Sequence, residues 1–181
     1  MKLAYLFWHS PHTDGDSYET ALAKFQRALV DAAPPGFLGC ASYAVDGAPW
    51  LRRPVYEDWY LLDSWAALGT LNDAAVDARR RSSHDAVAAG VAGGAGGVYL
   101  LRAGQPGLDA ATPALWFDKP QGTSYADFRE RLGRVAGEAG AVWERQLVLG
   151  PAPEYCAVTG NGPAAAPVAA TVVQRRPVFV G

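Results

Sequence analysis

The spacing of apolar and polar residues changes several times between residues 55 and 102, and each change predicts a different element. Residues 55–62 are rich in β-branched and aromatic side chains, which is typical of a strand. From Trp65 onward apolar residues recur at helical spacing, which predicts a helix whose buried stripe begins at Trp65. Asp63 or Ser64 can cap the first free amides of this helix.

The remainder of this segment predicts a short helix and a closing strand. Ser82, followed by the acidic Asp85, is typical of a helix N-terminus. The glycine-rich residues 93–97 lack the strand-before, helix-after context of a phosphate-binding loop, so we interpret them as a flexible connector. Residues 98–101 then form a short buried strand.

The N-terminal residues supply a strand, a helix and a second strand. Residues 2–9 predict the first strand, and Asp16 with Glu19 forms a D-x-x-E signal that opens a helix. The predicted buried stripe of this helix is Tyr18, Leu22, Phe25 and Leu29. Residues 36–45 predict the second strand. The order over residues 1–102 is therefore β-α-β-β-α-β, the ferredoxin-like split βαβ unit of an α+β protein.

The pattern begins again after a linker at residues 103–112. Residues 114–117 predict a strand, Ser124 and Tyr125 open a helix, and residues 141–149 and 155–159 form a hairpin. Residues 160–167 are too short and too rich in proline for a second helix. A last strand at 169–180 is broken by Pro177. Residues 113–181 are thus predicted to be a second, truncated ferredoxin-like half.

The first two strands are apolar on both faces, which sets how the halves meet. An antiparallel sheet normally has one wet face, so a second sheet is the natural cover for the other apolar face. A truncated half would also leave strand edges unpaired, which favours a homodimer.

Composition excludes several classes of protein. The chain has 181 residues, half of them apolar, and a net charge of −2, so neither nucleic acid nor an anionic membrane is predicted as a partner. It has no apolar run long enough for a membrane span and no signal-peptide pattern, and we expect a cytoplasmic protein. Cys40 and Cys156 are predicted to be buried thiols rather than a disulfide or metal site.

Four segments carry a resemblance to a known family: KLAYLFWH, EDWYLLDSWAALGTLNDAAV, HDAVA and GGVYLLRAG. With their topology, they resemble the dimeric α+β barrel superfamily, which includes the antibiotic-biosynthesis-monooxygenase, haem-degrading and EthD-like proteins. The resemblance implies two ferredoxin-like sheets that close on each other, within one chain or between two. It also implies a small aromatic or carbonyl ligand, or haem. No catalytic set of that family matches this sequence.

The predicted topology gathers polar residues at one edge of the first sheet. That edge collects His9, His12, Asp14, Asp16, Trp50, Arg52, Arg53, Tyr56, Glu57, Arg79, His84 and Asp85. Residues from separate strand ends that converge on one cleft are typical of a functional site. The candidate catalytic residues are His84, Glu57, His9 and Tyr56.

Each candidate also has a structural explanation. His84 with Asp85 fits a general base and its orienting carboxylate, but Asp85 equally fits a first-turn carboxylate on the helix dipole. Glu57 and Asp58 must point to opposite faces of their strand, so one of them is buried or near the strand end. A buried carboxylate has a raised pKa, which suits proton transfer.

The predicted ligand-binding residues are two arginines and two aromatic residues. Arg52 and Arg53 can meet an anionic group of a ligand, or simply pair with a rim carboxylate. Trp59 and Tyr43 line an aromatic pocket or belong to the core. His9 and His12 could supply metal ligands, but histidines are also common in loops, and we predict no metal site. The sequence does not identify a cofactor.

These patterns leave three functions open. The first is a monooxygenase- or isomerase-like enzyme that acts on a small aromatic or carbonyl compound. The second is a haem-binding or other ligand-binding protein without turnover. The third is a structural or interaction module with a filled barrel.

Overall fold

The computed structural model describes residues 1–13, 15–51, 55–108, 113–136, 140–148, 150–158 and 168–181. Its elements are β1 (Leu3–Pro11), α1 (Asp16–Asp31), β2 (Phe37–Asp46), β3 (Val55–Leu62), α2 (Trp65–Ala75), α3 (Arg81–Ala88), β4 (Val91–Gly104), β5 (Ala114–Phe117), α4 (Tyr125–Ala136), β6 (Ala141–Val148), β7 (Tyr155–Val158) and β8 (Thr171–Val180). The fold is a mixed α/β structure in which helices pack outside a closed antiparallel barrel.

The barrel contains strands from both halves of the chain. Its order is β1-β3-β2-β8-β5-β7-β6-β4, and β4 returns to pair with β1. The junctions between the halves are the antiparallel pairs β2–β8 and β4–β6. Each strand in the described part of the chain therefore has a neighbour on both sides. The barrel closes within one chain, which removes the unpaired edges on which the expected homodimer depended.

Alternation along the strands separates an inner from an outer face. On β1, Leu6 and Trp8 point into the barrel, whereas Tyr5 and Phe7 point out toward the helices. The interior is filled mainly by fully buried aromatic side chains: Trp8, Trp116, Trp143, Tyr43 and Tyr99. The two apolar faces predicted for the first strands are thus covered by the opposite side of the barrel and by the helices.

Helix α1 matches its sequence pattern. Tyr18, Leu22, Phe25 and Leu29 are all buried, as the spacing predicts, and Gln26 is buried beside them. Gly15 takes the N-cap position, and Asp16 and Glu19 lie in the first turn rather than capping with a side chain.

Helix α2 begins where predicted, but its first residue is exposed rather than buried. Ser64 caps it by accepting a hydrogen bond from the amide of Ala67. Its buried residues are Ala67 and Leu71, while Trp65 is 43% exposed, so the predicted stripe is wrong at Trp65. Leu68 and Ala75 of the same stripe pack against the buried residues beneath the helix. A methyl group placed at Gly36 would lie 2.5 Å from Cβ of Ala67, which shows how closely the helix approaches the start of β2 through its smallest side chains.

Two strand predictions also need correction. Residues 93–97 are not a flexible connector, because they form part of β4 and pair with β1. Backbone pairing with a neighbouring strand outweighs the low strand propensity of glycine. Pro177 does not break β8, which runs through it opposite Tyr43, with the register shift placed between Ser42 and Tyr43 of β2.

The two cysteines are free and buried, as predicted. Burial raises the pKa of the Cys40 thiol to about 12 and also raises the pKa of Cys156. None of the helices in the described ranges is long and apolar enough to cross a membrane.

Candidate functional site

A cavity of about 760 Å³ lies between the outer face of the barrel and the helices α1, α2 and α3. It is lined by Tyr5, Phe7, His9, Phe25, Leu29, Asp58, Tyr60, Leu68, Gly69, Leu71, Asn72, Ala75, His84, Val87, Ala88 and Val91. The volume is within the range of sites that bury a drug-sized ligand. The cavity combines an apolar surface of aliphatic and aromatic side chains with a few polar groups, as ligand sites do.

The alternation of β3 supplies one wall of this cavity. All eight residues of β3 are buried, and successive side chains point to opposite faces. Tyr56 and Tyr60 belong to the outer core cluster, whereas Trp59 belongs to the inner one. Asp58 therefore lies on the outer face between two tyrosines, and Glu57 lies inside the barrel.

The Asp58 carboxylate is held by three donors from different strands. The Ser42 hydroxyl donates to Oδ1 at 2.5 Å, and the Tyr60 hydroxyl donates to Oδ2 at 3.1 Å. His9 Nε2 lies 3.2 Å from the same Oδ2. The Gln26 amide group donates to both hydroxyl oxygens, at 2.9 Å to Ser42 and 3.0 Å to Tyr60, and so orients them toward the carboxylate. The network fixes Asp58 in the cavity wall.

Hydrogen bonding also determines the tautomer of His9. A carboxylate oxygen accepts, so the tautomer that fits Asp58 carries its proton on Nε2. In that tautomer Nδ1 accepts from the Tyr18 hydroxyl, 2.6 Å away. Burial, followed by the nearby charge of Asp58, raises the pKa of Tyr18 and of Tyr60. Both hydroxyls therefore stay protonated at neutral pH and remain donors.

Stacked aromatic rings form a row along the floor of the cavity. Along it, ring centroids are separated by 5.9 Å from Tyr60 to Tyr5, 6.5 Å from Tyr5 to Phe7 and 5.5 Å from Phe7 to His9. Tyr56 continues the row at 5.7 Å from His9. The interplanar angles lie between 16° and 27°, so neighbouring rings are stacked nearly parallel to one another. An aromatic wall of this kind suits a ligand that contains an aromatic ring.

Glu57 is surrounded by interior partners. The indole N–H groups of Trp8 and Trp59 donate to its two oxygens at 2.8 and 2.6 Å. Arg175 lies over the Tyr43 ring, 4.4 Å from its centroid, and acts electrostatically on Glu57. Burial raises the pKa of Glu57, and Arg175 and the two indoles oppose that shift. The raised pKa expected for an inward carboxylate is present, but it belongs to a packed interior.

The predicted site residues divide between the two faces of the sheet. His9 and His84 line the outer cavity, and Tyr56 stacks on His9 while its hydroxyl donates to Glu19. Glu57, Trp59 and Tyr43 are interior residues. The expectation of one cleft that unites all of them is therefore wrong, because neighbouring strand residues point to opposite sides. Arg52, Arg53 and Asp14 lie outside the described residues.

The sequence interpretation missed the residues that hold Asp58. Ser42, Tyr60 and Gln26 carry no motif, and Tyr18 was expected only as a core residue. Two consecutive acidic residues in an otherwise apolar strand were the available signal, since each must be buried on a different face.

Metal and haem ligands can be tested against the same contacts. Within the described ranges, no group of three or more His, Cys, Asp or Glu side chains could hold a metal ion. His9 would have to break a bond to Tyr18 or Asp58 before it could bind a haem iron. His12 is exposed, and Nδ1 of His84 lies 3.0 Å from the carboxylate of Asp85.

Comparison with known proteins gives structural matches alone. A scan against models of protein families and a search of curated proteins find no match. A "putative monooxygenase" from Lactobacillus acidophilus NCFM is similar in structure, with a TM-score of 0.68 and 11% identity over 99% of this chain and 95% of that chain. Another, from Fusobacterium nucleatum subsp. nucleatum ATCC 25586, has a TM-score of 0.65 and 10% identity over 99% and 93%. At such identities the similarity shows a shared fold.

Proposed function

We propose that the protein binds a small aromatic or carbonyl compound in the outer cavity and acts on it as a monooxygenase- or isomerase-like enzyme. The observation that carries this proposal is the 760 Å³ cavity, in which Asp58, His9 and Tyr60 meet a surface of stacked rings. The fold shared with two proteins that are each named "putative monooxygenase" supports the choice of chemistry.

The lining favours a ligand that donates a hydrogen bond. Among the described lining residues there is a carboxylate but no lysine or arginine. A buried carboxylate attracts a hydroxyl or amine donor and disfavours a second anion. We infer that the ligand presents a phenol-like hydroxyl or an acidic C–H beside a carbonyl to Asp58. An anionic ligand would need Arg52 and Arg53, which are outside the described residues.

The Asp58–His9 pair would act as the general base. It would take a proton from the hydroxyl or from the carbon next to the carbonyl, and the ligand would become an anion whose charge is delocalised over its ring or carbonyl. The protonated hydroxyl of Tyr60, beside Asp58, is a donor that can stabilise this anion. Return of the proton to another carbon gives an isomer. Addition of the carbanion to dioxygen instead forms a C–O bond, and the resulting peroxide anion takes the proton back from the Asp58–His9 pair to give a hydroperoxide. Loss of water from a hydroperoxide whose carbon carries a second hydrogen breaks the O–O bond and leaves one oxygen atom in a carbonyl product.

Two adjacent acids make a matched test. Asp58→Asn should weaken the binding of 1-naphthol by about tenfold or more, because a charge-assisted hydrogen bond of roughly 1.5–3 kcal/mol is lost. Glu57→Gln, one residue away on the other face, should leave this affinity within about twofold, since Glu57 is bonded to Trp8 and Trp59 inside the barrel and does not line the cavity. Isothermal titration calorimetry of both variants measures these affinities. The opposite result would place the site inside the barrel and support Glu57, as the sequence predicted.

Two alternative functions, a structural module and a haem-binding protein, can be distinguished by the compounds that the purified protein binds. The filled interior supports a structural module, which would show no bound compound in native mass spectrometry and no affinity for hydroxylated aromatics. A haem-binding protein would shift the Soret band of added haem, with His9, His12 or His84 as axial ligand. A bound aromatic compound released on denaturation supports the proposed enzyme.

We also infer that each half of the barrel is a ferredoxin-like unit. The N-terminal half has strand order β4-β1-β3-β2, and the C-terminal half repeats it as β8-β5-β7-β6, which supports this interpretation. Residues 159–167, where a second helix of the C-terminal half would lie, are outside the described residues. A homodimer stays a prediction, to be tested by light scattering at micromolar concentration.

A further inference from the structure

The glycines of β4 lie directly beside the aromatic floor of the cavity. In the β1–β4 ladder, Phe7 is opposite Gly96 and His9 is opposite Gly94. On the other side of β1, Phe7 is opposite Asp58 of β3. Phe7 therefore has the cavity carboxylate on one flank and, on the other, the two residues of β4 without side chains, Gly94 and Gly96.

The rings occupy the space that side chains on β4 would need. A methyl group at Gly94 would lie 2.6 Å from Cζ of Phe7, and one at Gly96 would lie 3.2 Å from the ring and hydroxyl of Tyr5. A methyl group at Gly93, the next residue along the strand, would have nothing within 4 Å. The close approaches to these rings thus occur at Gly94 and Gly96. The added methyl groups would also lie near backbone oxygens of β1, 3.1 Å from Trp8 O at Gly94 and 3.2 Å from Leu6 O at Gly96.

We propose that Gly94 and Gly96 determine which ligands the cavity accepts, by keeping the rings of Phe7 and Tyr5 off Asp58. This inference rests on the function proposed above. A side chain at either position pushes a ring back across β1 toward Asp58 and Tyr60, where the ligand's polar group binds. The glycines are then specificity-determining residues that contact no ligand themselves.

The first experiment compares three alanine variants on two probes of different width, phenol and 1-naphthol. Gly94→Ala should weaken 1-naphthol binding by about tenfold or more while phenol changes by less than about threefold, because an apolar pocket discriminates about 10–200-fold per methylene-sized difference. Gly96→Ala should have a smaller effect in the same direction, since its closest contact is longer. Gly93→Ala should match the wild type with both probes. Equal binding by Gly94→Ala and the wild type would overturn the proposal.

A second experiment does not depend on ligand binding. In a crystal structure of Gly94→Ala, the Phe7 ring should be displaced toward Asp58 and the cavity should be smaller. A ring that stays in place overturns the inference. If the wild type binds neither probe, the proposed function fails, whereas the ring position still decides this inference. Should Gly94→Ala not fold, Gly96→Ala allows the same measurement of Tyr5.

A double variant tests whether displacement of the Phe7 ring causes the loss of 1-naphthol affinity. Gly94→Ala combined with Phe7→Leu removes the ring that the new methyl group displaces. It should recover 1-naphthol affinity to within about threefold of Phe7→Leu alone, because the two residues are in contact and their effects are coupled. Loss of affinity that is additive with Phe7→Leu would show that Gly94 acts through the strand backbone instead.

Discussion

The outer faces of the N-terminal and C-terminal halves of the barrel pack differently around a buried carboxylate. Both bury a carboxylate under helices: Asp58 in the N-terminal half and Glu144 in the C-terminal half. Glu144 is paired with two arginines, Arg102 and Arg129. Asp58 is held by the neutral donors Ser42 and Tyr60 and by His9.

Packing beside the carboxylates differs as well. Under α4, Phe117 stacks on Tyr155 with centroids 5.7 Å apart, and Phe128 meets Tyr155 edge-on at 5.2 Å. These rings form a buried cluster with Leu132. In the N-terminal half, by contrast, the 760 Å³ cavity lies between the helices and the barrel. One carboxylate is thus paired with arginines and closely packed, whereas the other is held by hydrogen bonds beside a cavity.

The largest difference in stability between the two outer faces should appear when one aromatic ring is removed from each. Phe128→Ala should destabilise the protein by about 3–5 kcal/mol, because its fully enclosed ring leaves a cavity. Phe25→Ala should cost less, since Phe25 already borders a cavity, but it should change ligand affinity. Urea denaturation with calorimetric titration measures both effects. Equal costs, or loss of ligand binding in Phe128→Ala, would contradict the comparison.

The next largest effect on stability is expected from replacing Glu144. Burial works against ionisation, but the hydrogen bonds from Arg129 and Arg102 hold the pKa of Glu144 below its usual range. The stabilisation is therefore present above the unfolded pKa of about 4.3 and is lost as pH falls through the lower folded pKa. Glu144→Gln should cost about 1–2 kcal/mol at pH 7, a buried-pair value reduced because both arginines reach solvent.

Chemical denaturation between pH 3 and pH 7 gives the readout for this variant. The stability gap between Glu144→Gln and the wild type should narrow as the solution becomes acidic. A gap that is constant over this range would mean that ionisation of Glu144 contributes nothing, and that the variant acts through packing.

Glu57 should show the opposite pH dependence, with a smaller amplitude because Arg175 and two indoles partly offset its burial. Its folded pKa is raised, so its favourable contribution is complete below the unfolded pKa of about 4.3 and is lost as pH rises through the folded pKa. The stability of Glu57→Gln relative to the wild type should therefore improve with rising pH. A parallel series with Glu144→Gln tests the sign, and a gap that narrows in acid for both variants would refute it.

The smallest effect on stability is expected at His84. Its side chain is 34% exposed, so His84→Ala should change the free energy of unfolding by no more than about 0.5 kcal/mol. Ligand affinity should fall several-fold because His84 lines the cavity. His12→Ala, at an exposed histidine outside the described lining, is the control and should affect neither quantity. A stability loss without any change in affinity would make His84 a structural residue.

The local sequence pattern was sufficient to predict most helices and strands and to place Glu57 and Asp58 on opposite faces of β3. The 3.6-residue period of α1 marked its buried residues correctly, and the period of two in β3 required Glu57 and Asp58 to face opposite sides. The hairpin of β6 and β7 and the N-terminus of α4 at Ser124 also follow from residue type and spacing. These features depend on neighbours in the chain, which the sequence displays directly.

Tertiary contacts decided the rest. Residues 93–97 become a strand because β1 offers them hydrogen-bond partners, and α2 turns Trp65 outward because Ala67 fits against Gly36. Asp58 acquires its role from Ser42, Tyr60 and His9, which lie 16, 2 and 49 positions away. Barrel closure in a single chain depends on β2 meeting β8 and β4 meeting β6, pairings between distant segments that no local period encodes. Whether a buried carboxylate is neutralised or left beside a cavity is settled only when those distant side chains meet.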